Sequence, residues 1–254
     1  NFQYSAPWDK ELLENFYQQK LSFTNDEEIK GGIIPHHLLA GKYLASFFGM
    51  LEKQKPGVVV LIGPDHFNRG QAKIISSLQN WQTPFGILKT DKNLVNKLVE
   101  ARILSVDEKT MAEEHSIYGP VALIKRTLPN TRVLPIILKN NLTTSSLDVL
   151  IDKLQEILPA DAVIVSSIDF SHYQNVSVAD FHDELSKAVI ENFDYEKLPQ
   201  LEIDSTPSLY VLMKLMEKRG SQKILNHFHS NSGVLAGNNE AENTTSHFVF
   251  FFGS

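Results

Sequence analysis

Four short segments of the chain carry histidines at the ends of runs that read as buried strands. These segments are GGIIPHH (31–37), VVVLIGPDHF (58–67), EEHSIYGP (113–120) and VIVSSIDFSHY (163–173). Imidazole binds borderline metals such as zinc and titrates near neutrality. A cluster of these histidines would therefore suit either metal binding or acid–base catalysis.

The elements that must position these histidines have the pattern of an α/β protein. Short apolar runs alternate with longer amphipathic ones, which is typical of a largely parallel central sheet flanked by helices. Predicted strands cover 32–35, 58–63, 133–138, 162–168 and 247–252, and predicted helices cover 9–19, 41–53, 91–100, 116–127, 145–158, 178–192 and 207–218. The polar stretch 226–246 is the one long predicted loop. We expect residues 1–254 to form a single domain.

The predicted strand ends indicate where a site would form. Ligands of open parallel sheets bind in the crevice beyond the carboxyl ends of the strands. His36, His66, Asp169 and His172 each follow a predicted strand by a few residues, so they can converge although they lie far apart in the sequence. Among the other histidines only His229 is kept as a spare ligand, because no motif surrounds His182, His227 or His247.

Each candidate also has a structural interpretation. A lone histidine at a strand end, such as His36 or His66, can simply be a hydrogen-bonded residue. Asp169 could orient an imidazole or cap the segment that follows it. His115 comes after two glutamates at the start of a predicted helix, where acidic side chains complement the helix dipole whether or not they serve catalysis.

Composition and charge exclude several classes of function. The chain has 24 Lys and Arg against 30 Asp and Glu, a formal net charge of −6, and no basic run interleaved with aromatics, so we expect no nucleic-acid partner. It has no cysteine, which removes thiolate ligands and a cysteine nucleophile. No apolar stretch reaches the roughly 20 residues that cross a bilayer. A cytoplasmic location is favoured, but the chain opens at Asn1 rather than at a methionine, so a signal or anchor could precede it and the location stays open.

Several of these segments also form an ordered series of motifs. SAPW (5–8) resembles AGSWY, IPH (34–36) resembles APH, GPDH (63–66) resembles GPSH, EHSI (114–117) resembles EHS, SSIDFSH (166–172) resembles SSDFSH with Ile168 inserted, and NSG (231–233) resembles NSGD. In this order they resemble the Memo-like family, which includes the bacterial AmmeMemoRadiSam system protein B. That family shares its fold with the class III extradiol dioxygenases.

The resemblance implies a Memo-like, class III extradiol dioxygenase-like fold across the chain and assigns several roles by motif. His36 and His66 would be metal ligands, and His172 would lie in the same pocket as a ligand or as an acid or base. His115, from the EHS motif, would be a further pocket residue.

The third metal ligand has no assignment by motif. Some animal members of the family use a late cysteine, and the dioxygenases use a late glutamate. This chain has no cysteine, and Glu240 and Glu242 lie in no motif that aligns.

The favoured hypothesis is a metal-dependent oxidoreductase with a dioxygenase-like site. Two histidines and one oxygen ligand suit non-haem Fe(II), whereas three histidines would suit Zn or Cu, so the expected cofactor is a divalent metal with Fe(II) first. His172 would shuttle a proton, oriented by Asp169 or His115. One alternative is a metal-dependent hydrolase that uses the same residues to activate water. The other is a non-catalytic protein that binds a small molecule or peptide on the same fold.

Overall fold

The computed structural model describes residues 1–254, and its central feature is a mixed sheet of 12 strands. The strands are β1 (Phe2–Tyr4), β2 (Ile29–Ile34), β3 (Val58–Pro64), β4 (Ile74–Ser76), β5 (Asn80–Thr83), β6 (Gly86–Thr90), β7 (Ser105–Val106), β8 (Arg132–Leu138), β9 (Val163–Ser167), β10 (Phe170–Gln174), β11 (Lys223–Asn231) and β12 (Thr244–Gly253).

Ten helices accompany the sheet. They are α1 (Lys10–Gln18), α2 (Gly41–Met50), α3 (Lys92–Glu100), α4 (Glu108–Ala112), α5 (His115–Tyr118), α6 (Val121–Thr127), α7 (Thr144–Ile157), α8 (Val176–Asn192), α9 (Thr206–Lys218) and α10 (Ser232–Leu235), with short 3-10 turns at Leu38–Ala40 and Leu198–Gln200. None of the helices combines the length and the apolarity that crossing a bilayer requires.

The middle of the sheet is parallel and its margins are partly antiparallel. Strands β6, β8, β3, β9 and β2 lie side by side in that order and pair in parallel. Strand β12 pairs antiparallel with β2, and β10 and β11 both pair antiparallel with β12. The predicted α/β class with a largely parallel central sheet flanked by helices is therefore confirmed.

Each face of the sheet is covered by its own apolar core. In β3, Val58, Val60 and Ile62 point into a core that α3, α7 and α9 complete, whereas Val59 and Leu61 point into a core built with α1, α2 and α6. A strand buried on both faces reads as a continuous apolar run, which is why β3 was recognisable from its sequence.

Two expectations about local structure were wrong. The stretch 226–246 is not a loop, because it contains most of β11 and all of α10. Strand β11 pairs only with β12 and most of its residues are partly exposed, so polar side chains are compatible with it. The predicted helix 116–127 is divided into α5 and α6 at Gly119 and Pro120, since proline cannot donate to the helical hydrogen-bond ladder.

Gly63, near the end of β3, allows α5 to pack directly on the sheet. A Cβ atom at this position would lie 2.7 Å from Ser116 Cβ and still closer to Ser116 Oγ. This close approach places Glu114 and His115 beside the residues that follow β3.

We expect Gly63→Ala to destabilise the fold by about 1–3 kcal/mol, because the added methyl group overpacks the contact between β3 and α5. The measurement is chemical denaturation. Gly49→Ala is the matched control, since its Cβ would meet only the flexible Lys20 side chain at 3.0 Å and alanine favours the helix by about 0.5–1 kcal/mol. Equal losses in the two variants would contradict this interpretation.

Candidate metal centre

Three histidine rings converge where β2, β3 and α5 meet. His36 follows β2, His66 follows β3 and His115 is the first residue of α5. Ligand atoms from the three rings all lie within 4.8 Å of one another. The ring centroids of His36 and His66 are 5.0 Å apart, and His115 stacks on His66 at 4.1 Å. The structure thus brings three of the sequence-selected histidines together at the carboxyl end of the parallel strands.

Asp204, which precedes α9, lies between two of these rings. Its Oδ2 atom is 3.2 Å from His36 Nε2 and 3.3 Å from His66 Nε2. The side chain is only 7% exposed, and its Oδ1 atom is buried without a hydrogen-bond partner. The Asp204 N–H donates to the Asp169 carbonyl, and the Asp204 carbonyl accepts from Asn140 Nδ2. The backbone of this segment is thus anchored on both sides.

Sequence reasoning missed Asp204. An aspartate shortly before Ser205, Thr206 and Pro207 looks like an ordinary residue of a helix start, where acidic and hydroxyl side chains are common. No motif marks it. Only the position of α9 in the fold shows that this helix start faces the two strand ends.

The His36 ring is held by neighbours on two sides. Its Nδ1 atom is 3.3 Å from Ser167 Oγ, and Asp169 Oδ1 accepts the His36 backbone N–H at 3.3 Å. Asp169 Oδ2 is 3.5 Å from His36 Nε2. Burial lowers the pKa of His36, but the charges of Asp169 and Asp204 outweigh burial and raise it. The structure places Asp169 against His36 rather than against His172.

The His66 ring is held by the buried Glu114, which is 1% exposed. Glu114 Oε1 is 2.7 Å from His66 Nδ1, and Oε2 accepts the His66 backbone N–H at 2.9 Å. Burial lowers the pKa of His66, but hydrogen bonds to Asp204 and Glu114 more than offset it and raise the pKa to about 10. The contact with Glu114 leaves Nε2 of His66 facing Asp204.

His115 forms the outer side of the cluster. Its side chain is 36% exposed, and the rings of Phe67 and Tyr118 lie 6.2 Å and 6.4 Å from it. Burial and the charges of His36 and His66 lower the pKa of His115 to about 4. Its ring is therefore neutral at pH 7, the form of imidazole that binds a metal.

Two other predicted residues lie outside this cluster. His172 is on β10, opposite Thr245 of β12, and no ligand atom of His172 belongs to the three-histidine group. His229, the spare ligand, lies in a separate group with Asp180 and Asp183, 2.8 Å from Asp183 Oδ2.

The fold and the site define a mixed α/β protein with a histidine and carboxylate pocket at the ends of its parallel strands. The family model described as Memo-like protein matches residues 7–244. The chain therefore belongs to the Memo-like family, as its motifs indicated.

Relatives of the chain carry the same family name. A MEMO1 family protein of Ignicoccus hospitalis is 27% identical over 225 residues, covering 83% of this chain and 79% of the relative. A MEMO1 family protein of Aquifex aeolicus is 30% identical over 201 residues, covering 76% of this chain and 73% of the relative. Among solved structures, the uncharacterized protein JW3007 of Escherichia coli K12 aligns with a TM-score of 0.47 at 11% identity, covering 87% of this chain and 99% of that one.

We expect Glu114→Ala to destabilise the protein by about 1–3 kcal/mol, because the buried N–H groups of His66 and Ser116 would lose their acceptor. Denaturant titration measures this loss. Glu113→Ala is the control, since Glu113 is adjacent but partly exposed and its carboxylate pairs with Arg69 near the surface. Its expected cost is below about 1 kcal/mol. A control as costly as Glu114→Ala would argue against a special role for Glu114.

Proposed function

We propose that this chain is a metal-dependent oxidoreductase with a dioxygenase-like site, in which His36, His66 and Asp204 hold a divalent metal ion. The observation that carries the proposal is the buried Asp204 carboxylate between two imidazole nitrogens. Two histidines and one carboxylate with open positions form the facial set of non-haem Fe(II) oxygenases, which favours Fe(II) over Cu or Zn.

The residues fit such an ion by distance and by chemistry. With metal–ligand bonds of about 2.1 Å, neighbouring ligands lie about 3.0–3.4 Å apart. The distances of 3.2 Å and 3.3 Å from Asp204 Oδ2 to the two Nε2 atoms fall in this range. Asp204 Oδ2 also accepts the Asp169 backbone N–H at 3.0 Å, whereas the buried Oδ1 atom lacks a hydrogen-bond partner and is open to an added group.

The surrounding residues would prepare the ligands. Glu114 contacts His66 Nδ1 and Ser167 contacts His36 Nδ1, so both rings present Nε2 to the same point. Hydrogen bonds of this kind fix ring orientation and tautomer at metal sites. A bound Fe(II) would supply adjacent open positions for an organic substrate and O₂.

Proton transfer in the pocket would fall to His115. Its ring is partly exposed and stacked on His66, so it lies where a ligand that enters at this side can exchange a proton with it. The exposed ring of Phe67 adds an apolar wall beside it, which suits a small organic ligand or a peptide side chain. His172 stays a candidate for the proton shuttle, and the variants below separate it from the ligands.

A metal-dependent hydrolase is the second candidate, and the position of His115 supports it. His36, His66 and His115 offer ligand atoms within 4.8 Å, and three histidines with one open position are typical of catalytic zinc. In the hydrolase, Asp204 would contact a metal-bound water instead of binding the metal itself.

We expect His36→Ala, His66→Ala and Asp204→Asn each to lose stoichiometric metal, because each removes one of three ligands. The measurement is elemental analysis after reconstitution with Fe(II), Cu or Zn, with circular dichroism to check folding. His172→Ala should retain the metal, as should the control His227→Ala on β11. Full metal content in Asp204→Asn would remove Asp204 from the ligand set.

We expect oxygen consumption over a panel of small organic substrates from the Fe(II)-loaded protein and none from the Zn-loaded protein, since zinc has no redox chemistry. An oxygen electrode measures it, with His36→Ala as the inactive control. Equal turnover with zinc, without oxygen uptake, would favour the hydrolase.

A further inference from the structure

His247 is the last polar residue of β12 before the strand becomes apolar. It precedes the run FVFFF of β12, and its side chain is fully buried. Its Nδ1 atom is 3.1 Å from Asp169 Oδ1, whereas its Nε2 atom is buried with no hydrogen-bond partner. Burying a polar ring with one unsatisfied nitrogen costs stability. An apolar residue at this position would avoid that cost, which indicates that the contact of His247 with Asp169 has a role other than stability.

Asp169, the hydrogen-bond partner of His247, also contacts His36 of the proposed metal centre. Asp169 Oδ1, which accepts from His247, also accepts the backbone N–H of His36 at 3.3 Å. The other oxygen of Asp169 lies 3.5 Å from His36 Nε2. His247, Asp169 and His36 thus form a buried series in which one carboxylate contacts both imidazoles.

The His247 ring is also fixed from its outer side. His37, the exposed neighbour of His36, stacks on it with a centroid distance of 5.4 Å and an interplanar angle of 19°. Strand pairing to Ser230 of β11 sets the backbone of His247. The ring therefore has little freedom to move away from Asp169.

We propose that His247 is a positioning residue: through its hydrogen bond it fixes Asp169, and Asp169 in turn fixes the His36 ring. The part concerning the metal rests on the proposed function above. Residues that orient a ligand in this way typically change metal affinity by 10–100-fold when removed, which sets the size of the expected effect.

The test uses two substitutions that differ only in where they place a donor. The amide nitrogen of asparagine is separated from Cβ by the same two bonds as Nδ1 of histidine, so His247→Asn can keep the contact with Asp169. His247→Gln places its amide one bond further out, at the position of Nε2, and removes that contact. Val249→Ala is the control, because Val249 is fully buried in the same strand and lies two residues away on the same face.

Two measurements on the full chain separate this proposal from the metal proposal. The first is the nitrogen-15 NMR signals of the His36 ring in metal-free protein, which we expect to change in His247→Gln and to stay as in wild type in His247→Asn and Val249→Ala. The second is the Co²⁺ dissociation constant by chelator competition, expected about 10–100-fold weaker in His247→Gln and near wild type in the other two.

The outcomes are distinct. Unchanged His36 signals in His247→Gln, or an equal change in Val249→Ala, would overturn the positioning role. If wild type binds no Co²⁺ while the NMR pattern holds, the metal proposal fails and the positioning of His36 by His247 stands. If His247→Gln does not fold, His247→Leu provides the same comparison, since it removes the contact with Asp169 and fills the buried position with an apolar side chain.

Discussion

The structure of the site depends on compensating buried negative charge. Asp169 and Asp204 have side chains that are 4% and 7% exposed, and an isolated carboxylate is very costly to bury. Their side-chain partners are histidines: His36 contacts both, His66 contacts Asp204 and His247 contacts Asp169. Burial alone would raise the pKa of both carboxyls, but the histidines lower it instead. The same charges that would attract a cation also hold the rings in place.

The backbone geometry brings these carboxylates and histidines together. The parallel strands β2, β9 and β3 end at one edge of the sheet. The residues that directly follow these strands therefore lie close together. Gly63 brings α5 onto this edge, and the anchored segment before α9 brings Asp204 from the other side. Five separate segments thus contribute one or two side chains each to a small volume.

The sequence predicted much of this arrangement because its signals are local. Apolar runs identify β3 and β9, and the histidines that follow β2 and β3 were expected to converge. His115 was also selected from its motif. These predictions depend on short patterns whose structural meaning does not require knowledge of the rest of the chain.

Asp204 and His247 could not be predicted in this way. Asp204 looks like a residue of a helix start, and His247 looks like the end of the polar stretch before an apolar strand. Their importance comes from which elements pack together, above all from β12 lying between β2 and β10. Strand β11 was missed for a similar reason, since its polar residues are explained only by its single neighbour in the sheet.

The placement of β12 also determines when the site can form. This strand comes last in chain order, yet it pairs directly with β2, which comes near the beginning. The loop between these partners spans most of the chain, and contacts of such large sequence separation form slowly and late in folding. The same strand pairs with β10, where Ser246 lies opposite Phe170, and this pairing places His247 next to Asp169. The contact of His247 with Asp169 is therefore a property of the complete fold. A nascent chain that already contains His36, His66 and Asp204 still lacks this contact.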